Sequence, residues 1–228
     1  MIGVISALGS ESELLCRRLT DAREEKHAGA TYRIGKIDGV EVVLVVCGVG
    51  KVNAAMHAQA MMDFYHPSAV LQSGVAGALS PSLRVYDLVI GDKLSYHDMQ
   101  DFVIERFEPL EKEYFSDAAL VKIAKETADG VVGKIASGDI FVSDKETKRD
   151  IRERTQALCV EMEGTAVAHT AHLNEVPFLA LRVISDSADA PLEVAFDVFE
   201  KAAAKKSAEI VLAMLPKIER ELRERKEK

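Results

Sequence analysis

The feature that most constrains this chain is its alternation of short, almost uncharged apolar runs with longer amphipathic stretches. Ile2–Leu8, Val40–Cys47, Ala69–Gln72, Val85–Ile90, Val131–Ala136, Leu158–Val160 and Pro177–Ile184 have strand length and strand character. A strand that is apolar on both faces must be covered on both faces, and the stretches between these runs read as the covering helices. Helices are expected over Glu11–Thr20 with Ser10 as N-cap, over Lys51–Tyr65 ahead of Pro67, and over Tyr114–Thr127, Lys145–Arg154 and Gly164–Leu173. One more should run from about Glu193 to the C-terminus. Tyr32–Ile37 and Val40–Cys47 flank Asp38-Gly39, a two-residue hairpin signal, so part of the sheet is antiparallel. The small residues Ser73–Gly77 read as a loop, and Asp98–Glu113, the least regular segment, as a mobile loop near the site. The pattern predicts an α/β fold with a mixed sheet, in a single domain over residues 1–228.

Composition removes several classes of function. A net charge of −8 and a pI near 5.4 argue against a nucleic-acid partner. No apolar run is long enough for a bilayer, and Met1 leads into Ile2-Gly3-Val4-Ile5 without a basic n-region, so no membrane and a cytosolic location are expected. Cys16, Cys47 and Cys159 are far apart and lack metal or redox spacing. The six histidines are scattered without an HExxH arrangement, so no metal is expected.

Ligands of such sheets collect where strands end, so the residues following each apolar run are the candidates. Glu11 follows the first run, where it could equally complement a helix dipole. Gly48-Val49-Gly50-Lys51 opens a helix but matches neither a P-loop nor a dinucleotide fingerprint, and alone it is as well explained by a tight turn. Glu161, Met162 and Glu163 leave another run, with strand alternation placing the two glutamates on one side. Arg182 interrupts the last run, needs a partner such as Glu11 or Glu163, and precedes Ser185 and Asp186. Glu11, Glu163 and Asp186 thus offer three carboxylates at three strand ends, which is what glycoside-type hydrolysis uses. One activates water, another protonates the leaving group, and a third holds sugar hydroxyls.

The same segments carry a resemblance to a known family. In order they are Ile2–Leu8 with Glu11, Gly48-Val49-Gly50-Lys51-Val52, Ser73–Gly77, Tyr96-His97-Asp98, Ser137–Val142, Val160–Glu163 and Arg182–Asp186. Together they resemble the 5′-methylthioadenosine/S-adenosylhomocysteine nucleosidases of the purine nucleoside phosphorylase and uridine phosphorylase superfamily. The resemblance implies a three-layer α/β/α sandwich with a mixed, barrel-like central sheet, no cofactor, and a homodimer. It implies Glu11 as the base for water, Glu163 on the ribose hydroxyls with Met162 packed on the sugar, and Asp186, placed by Ser185, as the acid at adenine N7. Phe141 would stack on adenine, the Val142 backbone would read its edge, and Arg182 would help hold the water and the carboxylates. Leu8, Val49 and Phe196 would line the 5′-thio pocket, with Ala76, Gly77 and Glu161 also at the substrate site. Val75 stands where many members carry a hydroxyl residue, Ala78 replaces a common Gly, and Met99–Glu113, which includes Phe102 and Phe107, does not match. A phosphorylase, a hydrolase of another 5′-substituted adenosine such as aminodeoxyfutalosine, and a non-catalytic nucleoside-binding module are the other readings.

Overall fold

Each apolar run sends alternate side chains to opposite faces of one sheet. From β1 (Ile2–Ser6), β4 (Val40–Val46) and β10 (Phe178–Asp186), the residues Ile2, Val4, Val42, Leu44, Leu179, Leu181 and Val183 enter one core. There they meet Leu15 of α1 (Gly9–Arg18), Leu120 of α4 (Ala118–Thr127) and Met214 and Leu215 of α7 (Leu192–Lys226). Ile5, Val43, Val45, Phe178, Ala180 and Ile184 enter the other core. It is closed by Ala54, Ala58 and Met61 of α2 (Lys51–Tyr65) and by Ala166, Val167 and Ala171 of α6 (Gly164–Leu173). The result is the expected α/β/α layering. The computed structural model describes residues 1–188 and 192–227, with the backbone alone for 192–198.

The sheet curls upon itself. The strands β5 (Ala69–Ala78), β6 (Leu88–Tyr96), β8 (Val131–Ser137), β9 (Cys159–Glu161) and β10 pair in the ring β10-β6-β8-β9-β5, and β5 closes it by pairing again with β10. From β5 the sheet continues outward through β1, β4, β3 (Ala30–Ile37) and β2 (Thr20–His27). β1, β4, β5 and β10 run parallel, whereas β9 is antiparallel to β5 with Gly77 opposite Val160. The hairpin at Asp38-Gly39 forms as expected, both residues having positive φ.

Several expected boundaries shift. Ser73–Gly77 is not a loop. β5 runs through it, paired residue by residue with β10, and its small residues leave room inside the ring. The helix expected from Glu11 begins at Gly9 with Leu8 at the cap position, so Ser10 is not the N-cap, and its hydroxyl donates instead to Glu200 of α7. That helix ends at Arg18, and Thr20–His27 is a charged edge strand. Exposed on both faces, it shows no apolar period to read, and its charges guard an open edge. Tyr114 and Phe115 form β7 beside β6, and α4 begins only at Ala118, where Asp117 Oδ1 accepts from the N–H groups of Ala119 and Leu120. The Val85–Ile90 run becomes the longer β6, and the 98–113 segment contains α3 (Asp101–Arg106) and a turn. No helix among the described residues is long and apolar enough to cross a membrane.

Leu15 is fully buried on the underside of α1, the helix that carries Glu11. Leu15→Ala should lower the unfolding free energy by about 2–5 kcal/mol, read from urea denaturation midpoints.

Candidate active site

A cavity of about 250 Å³ opens where the ring meets the ends of β1, β5, β9 and β10. Glu11 is held at its floor in the first turn of α1. Its Oε2 accepts from the N–H groups of Ala7 (2.8 Å) and Leu8 (2.9 Å), and its Oε1 from that of Val75 (3.0 Å). Gly74 makes this possible, because a Cβ there would collide with the Glu11 carboxylate. Amides from the β1–α1 junction and from within β5, past the last residue it pairs with β1, thus converge on one carboxylate.

The two glutamates of the 161–163 segment do not share a strand face. β9 ends at Glu161, and Glu163 occupies the N-cap position of α6. Glu161 lies inward. One of its oxygens meets Arg182 Nη2 at 2.6 Å, it accepts from the Ser137 hydroxyl, and it caps α6 by accepting from the Glu163 and Gly164 N–H groups. The partner of Arg182 is therefore Glu161, not Glu11 or Glu163 as expected. Arg182 also donates to the carbonyls of Gln72 and Leu181 and does not line the cavity, so the direct role at the substrate expected of it is not what this geometry offers. Glu163 turns the other way, accepting the Gly50 N–H at 2.7 Å. Gly50 has φ +99°, a backbone state that favours glycine and aims this amide across the loop.

One guanidinium thus serves three buried carboxylates. Burial pushes the Glu161 carboxyl up, but the charge and hydrogen bond of Arg182, with those from Ser137 and the Glu163 N–H, outweigh it and hold Glu161 below the ordinary range. Burial raises Glu163, and the neighbouring charges of Glu161 and Glu11 raise it further. Burial also raises Glu11, against its backbone hydrogen bonds and the charge of Arg182. Glu11 and Glu163 are thus poised to exchange protons at milder pH than a solvated carboxylate.

The third carboxylate comes from a break in register. β10 pairs Ile184 with Ala76 and then Asp186 with Gly77, so Ser185 is bulged out of the ladder. The Ser185 hydroxyl donates to Asp186 Oδ2 at 2.8 Å, and the Ala188 N–H to Oδ1 at 2.7 Å. Of the other expected residues, Leu8, Val49, Ala76, Gly77, Phe141, Val142, Glu161 and Met162 line the same cavity. Phe196 lies outside the residues whose side chains are described. Ala7, Val75, Ile140 and Val160 also line the cavity. Of these, the Val75 contribution is an amide, which no side-chain pattern announces. The 98–113 segment supplies nothing to the cavity within this chain, and Phe102 and Phe107 are 59% and 54% exposed. Cys47 and Cys159 are core residues whose thiols burial raises. No cluster of His, Cys, Asp or Glu among the described residues could hold a metal.

A curled mixed sheet with acidic residues over one cavity defines a nucleoside phosphorylase-like protein, and residues 1–216 match the family described as the Phosphorylase superfamily. The 5′-methylthioadenosine/S-adenosylhomocysteine nucleosidase of Geobacillus thermodenitrificans is 39% identical over 223 residues, covering 93% of this chain and 94% of that protein. The S-adenosylhomocysteine nucleosidase of Streptococcus pyogenes, solved with 5-methylthiotubericidin, superposes with a TM-score of 0.89 at 35% identity, over 94% of this chain and 95% of that one. Futalosine hydrolase of Helicobacter pylori superposes with a TM-score of 0.88 at 30% identity, over 95% and 97% of the two chains. The chain belongs to the phosphorylase superfamily and, within it, to the 5′-methylthioadenosine/S-adenosylhomocysteine nucleosidase family.

The raised Glu163 carboxyl has a consequence for stability. A carboxyl whose folded pKa lies above its ordinary 4.5 stabilises the fold below that value, and the contribution is lost as pH rises through the folded pKa. Glu163→Gln removes the loss. It should melt at a higher temperature than the wild type at about pH 8, with the gain gone at about pH 4, as read by thermal melts across pH.

Proposed function

We propose that this chain hydrolyses the N-glycosidic bond of 5′-methylthioadenosine and S-adenosylhomocysteine, releasing adenine and the 5′-thioribose. The observation that carries the reading is that Glu11, Glu163 and Asp186, far apart in sequence, line one cavity. Glu11 takes a proton from the water that attacks C1′, a task suited to a carboxylate that burial has made more basic. Asp186 delivers a proton to adenine N7 as the C1′–N9 bond breaks, so the base departs neutral. The donors from Ser185 and Ala188 fix the plane of its carboxyl group for that transfer. Glu163 accepts from the ribose hydroxyls, with Met162 against the sugar. Phe141 stacks on the adenine, whose edge is read by the backbone of Val142. Leu8 and Val49, with Phe196, serve the 5′-thio substituent. Arg182 acts from behind by keeping Glu161 ionised, and Glu161 in turn holds the start of α6 on which Glu163 sits. No cofactor takes part.

Phosphorolysis would require a dianion in this cavity. Its charged lining residues are Glu11, Glu161, Glu163 and Asp186, with no Lys or Arg among the described ones, so water is the better nucleophile here. The likeness to a futalosine hydrolase keeps a related 5′-substituted adenosine, aminodeoxyfutalosine, as the second substrate to compare. We place the reaction in the cytoplasm, in methionine salvage and nucleoside catabolism. The catalytic unit is one domain over residues 1–228, working as a homodimer whose neighbour contributes to the thio pocket.

Adenine release from 5′-methylthioadenosine and S-adenosylhomocysteine should proceed in phosphate-free buffer at a rate that added phosphate leaves unchanged. Strict dependence on phosphate overturns the reading. Asp186→Asn should lose about 10²–10⁴-fold in kcat with its fold intact, as expected for a proton donor, and a normal kcat would remove Asp186 from the mechanism. Comparing kcat/KM for aminodeoxyfutalosine separates the two hydrolase readings.

A further inference from the structure

Two loops frame the cavity, each with a backbone hydrogen bond to the sheet at its first residue, from the Cys47 N–H to the Ser6 carbonyl and from the Gly138 N–H to the Glu161 carbonyl. The first, residues 47–50, presents Val49 and points the Gly50 N–H at Glu163. The second, residues 138–142, presents Ile140, Phe141 and Val142. The sugar side of the proposed site depends on the first and the base side on the second. Yet the residues joining the two loops lie outside the cavity lining. Asp139 Oδ1 accepts the Lys51 N–H at 2.8 Å, which caps the first turn of α2. The Asp139 N–H donates to Asp98 Oδ2 at 2.8 Å. Lys51 Nζ closes the ring by donating to Asp98 Oδ1 at 2.7 Å and Oδ2 at 2.6 Å, while standing 3.7 Å from Asp139 Oδ2.

This ring is tight. The ammonium sits 5.4 Å from the centre of the Tyr96 ring, and the Lys51 and Asp98 side chains are only 21% and 15% exposed. A Cβ on Gly138 would strike His97 and Asp98, so the second loop rests directly on the segment that carries Asp98. A Cβ on Gly50 would meet Asp139 Oδ1 at 3.2 Å. A partly buried, doubly accepting carboxylate of this kind resists displacement far more than an exposed ion pair.

We propose that Asp98 is a positioning residue, which through Lys51 and Asp139 locks the 47–50 and 138–142 loops together and so sets the spacing between the sugar and base halves of the pocket. Glu11 and Asp186 stand on β1–α1 and β10, held by their own amide and hydroxyl donors, and are independent of this ring. Loosening the ring should therefore weaken substrate binding while sparing the chemical step. The inference rests on the nucleosidase reading above, and its test separates the two.

Full-length Asp98→Ala, Asp98→Asn, Lys51→Met and the Asp98→Ala/Lys51→Met double variant are assayed for adenine release from 5′-methylthioadenosine. Asp98→Ala should raise KM about tenfold or more with kcat within about threefold of wild type, since only binding common to ground and transition states is lost. Asp98→Asn, which keeps an oxygen acceptor, should fall between the two. Lys51→Met should follow Asp98→Ala and stands in for it if that variant does not fold. The double variant should be no worse than about the worse single, because both break one ring. A KM for Asp98→Ala within about twofold of wild type, a kcat that falls as far as kcat/KM, or additive losses in the double variant overturns the proposal. A wild-type chain that releases no adenine rejects the nucleosidase reading instead. The ring is then judged by calorimetric titration with adenine, where about tenfold weaker binding in Asp98→Ala supports it and unchanged binding overturns it.

Discussion

The buried pairing of Arg182 with Glu161 is the interaction on which the site depends. Both side chains are almost wholly removed from water, and either alone would be an uncompensated charge in the interior. Together they form an anchored unit, and its geometry decides the state of the other two glutamates. Because Glu161 holds the guanidinium at 2.6 Å and Glu11 and Glu163 feel it only through space, the positive charge is unequally shared. Glu161 remains ionised, and the other two are left with proton affinities above the ordinary range. Acid–base capacity at the cavity is thus first a consequence of burying Glu11 and Glu163, to which the neighbouring negative charges of Glu161 and Glu11 add at Glu163. The same burial and neighbouring charge oppose folding at alkaline pH, so the fold and the chemistry pull against each other at Glu163.

What fixes these groups in space is mostly backbone. Glu11 receives three amides, Glu163 one across a loop from Gly50, Asp186 one from Ala188, and Glu161 caps α6. Amides belong to elements that are themselves packed, so they hold a carboxylate without the rotamer freedom of a side-chain partner. Gly74 and the bulge at Ser185 are local departures that make such contacts possible, one by leaving out a Cβ and the other by re-aiming a side chain. A parallel sheet end supplies the raw material, and curling the sheet brings β9 back along the last residues of β5, so that antiparallel β9 also delivers its exit to the cavity.

Much of the architecture was legible because strong apolar periods survive as elements. Runs such as Val40–Cys47 and Pro177–Ile184 and the helix over Lys51–Tyr65 form nearly as expected. Failures cluster where period carries no information. The edge strand Thr20–His27 has no buried face, and Ser73–Gly77 looks like a loop because its small residues accommodate the glutamate beneath them. In the site, Asp186 could be picked out at a strand end and Leu8 and Phe141 through the family resemblance, whereas the amide of Val75 leaves no trace in side-chain patterns.

By itself, the order of residues determined most of the strands and helices, those with a strong apolar period, that both sheet faces must be covered, and that carboxylates follow three of the strands. These are local properties, set by apolar period and turn chemistry within a few residues. Tertiary structure alone decided that β5 closes a ring with β10, and that Arg182 chooses Glu161 over Glu11 and Glu163. It also decided that Glu163 sits on a helix cap and not on a strand. The physical reason is that pairing and proton affinity are set by distance and burial. Both depend on which distant segments meet, and Arg182 shares this cluster with carboxylates 19 to 171 positions away along the chain only because the sheet curls.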